Sequence, residues 1–297
     1  MDKEKIIKAG KIASEIKSWI KPQIKKDTPL LEIAEKIESK IVELGGKPAF
    51  PTNLSINEIA AHFTPTHNDE TLAHGLLKVD LGVSVDGWLS DTAFSIDLEN
   101  SEKNKSLIQT SKKALKNAIE LIKQNKETTL SEIGKTIQET IESQKLLPII
   151  NLSGHSMEKY DLHSGITIPN IKNNSDQKLK SGLFAIEPFT TSGSGKVYDG
   201  KPSGIYILQN EKNTRSPIAR EVLSLVTKEY KTLPFCSRWI IKKIGTKALF
   251  GLRQLEEAGI IYQFQQLVES SKNKVAQTEH TIFIDNEVIV TTSNKEQ

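Results

Sequence analysis

The sequence predicts an α+β protein built on antiparallel β-sheet. Two segments alternate in hydrophobicity around a turn signal: residues 78–98, which turn at Asp86-Gly87, and residues 278–292, which turn at 285–287. Helical and strand segments follow one another without the regular β-α-β units that a parallel sheet needs. Because hairpins dominate, antiparallel pairing is expected.

Apolar residues recur at helical spacing in four segments of the first half of the chain. The second of these segments has clear boundaries, with a start signal at Asp27-Thr28-Pro29 and an end signal at Gly45-Gly46. The four predicted helices cover residues 4–20, 28–44, 101–125 and 130–145.

The later segments are shorter and change in character. LFAIEPF (183–189) and IYILQ (205–209) are predicted strands, and the Gly- and Ser-rich residues 191–204 between them are predicted to form a loop. Beyond residue 210 the pattern is helical, basic and only weakly apolar, which predicts a helical insertion with helices at residues 216–230, 236–244 and 247–258.

The composition excludes several classes of protein. Of the 297 residues, 37% are hydrophobic and 26% are charged, as expected for a globular protein with a core. The net charge of +3 does not require a nucleic-acid partner. The single cysteine, Cys236, cannot form an internal disulfide and fits a reducing compartment, so a cytoplasmic location is expected. No signal peptide or membrane span is predicted, because no long apolar stretch is present.

The first hairpin places two carboxylates together. A two-residue turn at 86–87 pairs Gly82 with Asp91 and Asp80 with Ala93. Asp80 and Asp91 are then diagonal neighbours on one face of the hairpin, about 7–8 Å apart or less between Cβ atoms, within reach of a shared cation. The alternate positions are apolar and predict a core on the opposite face.

Three further residues stand in positions that make them candidate ligands. Glu187 lies in an apolar strand just before a proline, where an unpaired buried charge is costly. Glu279 begins the last hairpin strand, and its neighbour His280 must point to the other face. His155 follows a glycine, a position at which the backbone can approach a ligand.

Together these residues form a hard, oxygen-rich ligand set of four carboxylates and one imidazole. Such a set suits Mn²⁺, Fe²⁺, Co²⁺ or Zn²⁺, and its four negative charges match two divalent cations. A water molecule held between two such cations would be ionised near neutral pH. Spacing alone leaves a simpler alternative open, in which the same residues are surface acids and one core histidine.

Five segments carry a resemblance to a known family. In their order and spacing the chain resembles, nearly end to end, the type II methionine aminopeptidases of the short archaeal kind, which belong to the M24 peptidases. The segments are AFPTNLSINEIAAHFTP (49–65), KVDLGVSVDGWLSDTAFS (78–95), NLSGHSMEKYDLHSG (151–165), FAIEPF (184–189) and AQTEHTIF (276–283).

The resemblance implies the pita-bread fold. In this α+β fold two pseudo-symmetric halves of antiparallel sheet are backed by helices, with the metals between them. The implied catalytic domain comprises residues 1–209 and 273–297. The helical stretch at 210–272 corresponds to the winged-helix-like insertion of type II enzymes, which type I enzymes lack.

The resemblance also implies a metal centre with two divalent ions per chain, Co, Mn, Fe or Zn. Asp80 is expected to chelate one metal. Asp91 and Glu279 are expected to bridge both metals, and His155 and Glu187 to complete the coordination of the other.

Further roles around this centre follow from the same resemblance. His62 is expected to contact the substrate beside the metals. His163 is expected to bind the substrate carbonyl and to steady the developing oxyanion. Phe50, Leu162 and Phe264 are expected to line an apolar pocket for methionine.

The implied activity is hydrolysis of the first peptide bond of Met-X peptides and nascent proteins, with a small uncharged second residue preferred. Glu187 is expected to carry the proton to the leaving amine. A monomer is the expected state, and the ribosome is a candidate partner that the sequence neither requires nor excludes.

Two alternatives share this fold. A prolidase or X-Pro aminopeptidase would have the same ligands but would lack residues 210–272 as an insertion. An inactive pita-bread protein that serves as a binding module would have lost ligands, whereas all five ligands and both histidines are present here.

Overall fold

The computed structural model describes residues 1–125, 127–210 and 212–293. Residue 211 of the predicted insertion, and residues 126 and 294–297 of the predicted catalytic domain, lie outside the described residues. Within the described part, every strand pair is antiparallel, which confirms the predicted type of sheet.

The helices lie close to where the apolar periodicity predicts them. Side-chain caps fix several of their starts: Thr129 and Glu132 form a reciprocal capping box, and Ser216 caps a helix that has Pro217 in its first turn. The α-helices are α1 (Lys3–Ile20), α2 (Leu30–Glu43), α3 (Glu102–Gln124), α4 (Leu130–Glu142), α5 (Pro217–Glu229), α6 (Ser237–Ile244) and α7 (Ala248–Glu257).

The strands include both predicted hairpins. They are β1 (Lys47–Pro48), β2 (Asn53–Ile56), β3 (Ile59–Ala61), β4 (Leu76–Val85), β5 (Trp88–Asp97), β6 (Leu147–Pro148), β7 (Ser153–Met157), β8 (Thr167–Pro169), β9 (Gly182–Ile186), β10 (Phe189–Thr191), β11 (Val197–Leu208), β12 (Phe235–Cys236), β13 (Ile261–Glu269), β14 (Val275–Gln277), β15 (His280–Ile284) and β16 (Val288–Val290).

Two similar helix-backed sheets form the body of the protein. In the first half, α1 and α2 cover the sheet of β1, β2, β4 and β5, and residues such as Ile16, Ile37 and Leu81 share one core. In the second half, α3 and α4 cover the sheet β16-β15-β9-β7-β8, with residues such as Ile137 and Ile282 in its core. Each sheet therefore buries one face beneath a helix pair and directs the other towards the opposite half.

Strand β5 of the first half meets the start of β15 in the second half. The amide of Glu279 donates to the carbonyl oxygen of Ala93 at 3.0 Å. The Thr281 hydroxyl accepts from the amide of Asp91 and donates to its carbonyl oxygen, both at 2.7 Å. This seam sets Asp91 and Glu279 side by side, although 188 positions separate them in the sequence.

The segment after residue 190 differs from the prediction in two places. Strand β11 begins at Val197, inside the predicted loop 191–204, and the stretch 261–269 of the predicted helical insertion is strand β13. The two strands pair along their length despite register shifts, and β13 also pairs with β3 of the first half. The sequence did not predict this long strand because Gly200, Pro202 and Gly204 lie within it, and both residue types normally weaken a strand pattern.

Helices α5, α6 and α7 form a separate apolar core against β11–β13. This unit is held to the first half by a buried ion pair: Arg238 donates to Glu38 through Nη1 at 2.6 Å and Nη2 at 2.9 Å. Glu38 also accepts from Trp239 Nε1 at 2.8 Å and from the amide of Thr52 at 3.2 Å. One carboxylate thus links α2, α6 and the loop that leads into β2.

None of the helices in the described part of the chain is both long enough and apolar enough to cross a membrane.

The buried ion pair gives a prediction about stability. Arg238→Met leaves the Glu38 carboxylate buried without its cation, so the free energy of unfolding should fall by about 3–5 kcal/mol, measured by urea denaturation. Arg253→Met is a matched control, because Arg253 pairs with Glu257 on an exposed helix face, and little change is expected there. Equal effects of the two substitutions would contradict this role for the pair.

Candidate metal centre

A cavity of about 400 Å³ opens where the two halves meet strands β3, β11 and β13. Carboxylates and histidines occupy its floor, and apolar side chains such as Ile205 and Leu267 contribute to its walls. The cavity is lined by every site residue that the sequence predicts: Phe50, His62, Asp80, Asp91, His155, Leu162, His163, Glu187, Phe264 and Glu279.

The first hairpin has the register predicted from its turn. Gly82 pairs with Asp91 and Asp80 pairs with Ala93, so both aspartates face the cavity. The apolar positions of the same strands, including Val79 and Phe94, pack into the core under α1 and α2. The alternation of the β-strand thus accounts for the carboxylates on one face and the core on the other.

The two glutamates lie at strand ends rather than within strands. Glu187 follows β9 and precedes Pro188, which cannot donate a ladder hydrogen bond. Glu279 immediately precedes β15, while its neighbour His280 is directed to the opposite face, towards Lys17 and Thr292. Because neither glutamate lies within a strand, the alternation of strand side chains does not fix its direction, and each carboxylate can point into the cavity.

Three of these residues form a compact group. One ligand atom from each of Asp91, His155 and Glu279 lies within 4.8 Å of the other two. Nε2 of His155 is 3.6 Å from Oδ2 of Asp91 and 3.8 Å from Oε1 of Glu187. Asp80 approaches from the adjacent strand, so all five predicted ligands converge.

Burial disfavours the ionised form of these carboxyl groups. It raises the pKa of Asp80 to about 7. Burial and, after it, repulsion from neighbouring carboxylates raise the pKa of Asp91, Glu187 and Glu279 well above the usual range. A multivalent cation would reverse this effect, because it favours the charged form of each group.

Unsatisfied polar atoms also mark the centre. Within the described residues, Oδ1 of Asp80, Oδ1 of Asp91 and Oε1 of Glu279 are buried without a hydrogen-bond partner. Buried oxygens of this kind are costly unless they bind something. Oxygen atoms with one imidazole nitrogen are suitable donors for Mn²⁺, Fe²⁺, Co²⁺ or Zn²⁺. The residues present therefore fit a divalent metal centre.

Burial favours the neutral form of the histidines around the centre. Burial lowers the pKa of His62 to about 4 and that of His155 to about 3. Nδ1 of His62 is 3.2 Å from the carbonyl oxygen of Gln265, which can only accept, so Nδ1 carries the proton and Nε2 keeps a lone pair. The ring of His163 meets that of His155 edge-on, with centroids 4.3 Å apart.

The backbone of His62 has a positive φ of 62°. This left-handed conformation is uncommon for a residue with a side chain and is often found at functional sites. The His62 ring lies 5.4 Å from that of Phe264, between centroids. Phe50 approaches from the other side, over Gly82, where an added Cβ would come within 2.3 Å of the phenyl ring. Glycine at 82 thus makes room for the aromatic wall.

Several polar residues that line the same cavity were not predicted from the sequence, among them Gln277 and Asn53. Gln277 donates from Nε2 towards Asp80 and Glu187. Strand periodicity could have identified it, because it lies two positions before Glu279. Asn53, which pairs with Asp80 across β2 and β4, could not have been identified, because nothing in the sequence specifies that pairing.

Known proteins resemble this chain over almost its whole length. The model of metallopeptidase family M24 matches residues 4–291. The chain is 46% identical to the methionine aminopeptidase of Methanocaldococcus jannaschii, over 97% of this chain and 98% of that protein. It is 43% identical to that of Pyrococcus abyssi, over 99% of this chain and 100% of that protein.

A solved structure supports the fold. The methionine aminopeptidase of Thermotoga maritima superposes with a TM-score of 0.71 at 22% identity, covering 98% of this chain and 96% of that one. The architecture is accordingly the pita-bread fold. The chain belongs to the methionine aminopeptidases of metallopeptidase family M24.

Proposed function

We propose that this chain removes the N-terminal methionine from peptides and nascent proteins by hydrolysis at a centre of two divalent cations, Co, Mn, Fe or Zn. The observation that carries the proposal is the convergence of four carboxyl groups and an imidazole in one cavity that also has apolar walls. The cations, when bound, would supply an ionised water and would polarise the substrate carbonyl.

The ligands are divided between the two cations in the proposal. Asp80 would hold one cation, His155 and Glu187 would hold the other, and Asp91 and Glu279 would contribute to the binding of both. The compact group of Asp91, His155 and Glu279 supports this division. So does the position of Asp80 on the neighbouring strand β4.

The remaining polar residues bind and orient the substrate. Nε2 of His62 keeps a lone pair, so His62 accepts a hydrogen bond from a substrate N–H group. His163 lies near His155 and donates to the carbonyl oxygen of the scissile bond, where negative charge develops. Glu187 moves a proton to the leaving amine. The acidic floor favours the free amine of the first residue, which an internal residue lacks.

The walls select the first residue of the substrate. Phe50, Leu162 and Phe264 enclose an apolar space that fits a flexible thioether side chain. A small uncharged second residue is preferred because the space beyond the scissile bond is limited.

We also propose the finer assignments of domain and partner. Residues 210–272 are the winged-helix-like insertion of type II enzymes, and their separate apolar core supports treating them as a unit. The remaining residues, 1–209 and 273–297, form the catalytic domain of a cytoplasmic monomer. Contact with the ribosome stays a prediction.

A peptide assay tests the proposed activity. Protein stripped with a chelator should not cleave Met-Ala-Ser, and addition of Mn²⁺, Co²⁺ or Fe²⁺ should restore cleavage, measured by release of methionine. Leu-Ala-Ser should be cleaved much more slowly, because a branched side chain fits the pocket less well. Absence of Met-Ala-Ser cleavage with every metal would overturn the proposal, and preferential cleavage of Ala-Pro would favour a prolidase.

The bridging role of Asp91 can be tested by Asp91→Asn. The substitution keeps the shape of the side chain but removes a charge and one donor oxygen, so kcat/KM should fall by at least about 100-fold. Metal analysis should show fewer ions per chain. Asp86→Asn, at the exposed turn of the same hairpin, is the control and should leave both unchanged. Full activity of Asp91→Asn would remove Asp91 from the site.

The role of His163 can be tested by His163→Ala. Loss of a donor to the developing oxyanion should lower kcat for Met-Ala-Ser by about 100- to 1000-fold with a smaller effect on KM. His67→Ala, which alters an exposed histidine outside the cavity, should behave as the unchanged protein. A change confined to KM would assign His163 to substrate binding alone.

A further inference from the structure

Gln277 joins carboxylates from the two halves of the molecule. Its Nε2 lies 3.3 Å from Oδ2 of Asp80 in the first half and 3.4 Å from Oε2 of Glu187 in the second. A side-chain amide carries two N–H donors, so one nitrogen can serve both carboxylates at once. Gln277 is only 1% exposed, which confines its side chain to this position.

The main chain of Gln277 is held from both sides. The Ser95 hydroxyl on β5 accepts from its amide at 2.9 Å and donates to its carbonyl oxygen at 2.8 Å. On the other side, β14 pairs with β10, where Gln277 is opposite Phe189. The buried Lys78 fixes the start of the same strand by donating to the carbonyl oxygen of Val275 at 2.9 Å.

We propose that Gln277 is a positioning residue that sets the separation of Asp80 and Glu187, and with it the spacing of the two cations. The inference rests on the proposed function, in which these two carboxylates belong to different cations. Gln277 acts through the ligands and does not contact the reacting atoms.

A neutral amide suits this position better than a charged donor. Lysine or arginine would also bridge the two carboxylates, but its positive charge would repel the cations that the carboxylates bind. An amide donates hydrogen bonds without adding charge. Since hydrogen-bonded partners of metal ligands orient those ligands, the loss of one typically lowers metal affinity or activity by about 10- to 100-fold.

Two substitutions at Gln277 test the proposal. Gln277→Met keeps the length of the side chain but has no donor, and Gln277→Glu keeps its shape but replaces the donor with an acceptor. Calorimetric titration of the metal-free full-length protein with Mn²⁺ should show binding weakened by about 10- to 100-fold in Gln277→Met. In Gln277→Glu the loss of the donor is opposed by an added negative charge that attracts cations, so the Co²⁺ spectrum is its readout. The visible spectrum of the Co²⁺-loaded protein should change, because the ligand geometry is no longer fixed.

Gln266→Met is the matched control, because Gln266 lies outside the cavity on β13. It should leave Mn²⁺ affinity and the Co²⁺ spectrum unchanged. Ser95→Ala provides an independent test: it retains the amide but releases its main chain, so it should weaken Mn²⁺ binding in the same direction. If circular dichroism shows that the Gln277 variants do not fold, the Mn²⁺ affinity of Ser95→Ala tests the proposal in their place.

Folded Gln277 variants with unchanged Mn²⁺ affinity and an unchanged Co²⁺ spectrum would overturn the proposal. If the Gln277 variants do not fold, an unchanged Mn²⁺ affinity of Ser95→Ala would overturn it instead. Failure of the proposed function gives a different result, because the unsubstituted protein would then bind no second cation or would not cleave Met-Ala-Ser.

Discussion

The burial of four carboxyl groups in one cavity is the constraint on which the rest of the structure depends. Each group loses hydration, and each repels its neighbours, so burial raises the pKa of all four. Within the described residues, the ion-pair contacts made by these groups are with the neutral His155. Divalent cations bound in the cavity would therefore favour the ionised form of these groups, because each cation places two positive charges beside the carboxylates.

The fold holds this unfavourable group together through hydrogen bonds at the seam. Asp91 and Glu279 turn into the cavity, and the residues next to them turn away. Thr92 accepts from the buried amine of Lys17 at 3.1 Å and donates to the carbonyl oxygen of Glu279 at 2.8 Å. Burial lowers the pKa of Lys17 to about 8. The strand period thus separates a ligand face from a supporting face that contacts α1.

The walls of the cavity come from distant parts of the chain. Strand β13 carries Phe264 and pairs with β3, directly before His62. The ion pair of Arg238 with Glu38 fixes α6 against the loop before β2. The helical unit after residue 210 therefore shapes the substrate cavity through β13, in addition to forming its own core.

The sequence by itself determined the local structure of this protein and part of its site. Helical periodicity located the helices, and the turn at 86–87 fixed the register that sets Asp80 and Asp91 on one face as diagonal neighbours, because both depend on neighbours in the chain. Family resemblance supplied the remaining ligands. Tertiary structure decided that β11 and β13 are long strands. Glycine and proline weaken the strand pattern of β11 in the sequence, and its hydrogen bonds to β13 form only when the two distant segments meet. Tertiary structure also decided that Gln277 lies between Asp80 and Glu187, since a contact between two halves depends on packing that no local pattern encodes.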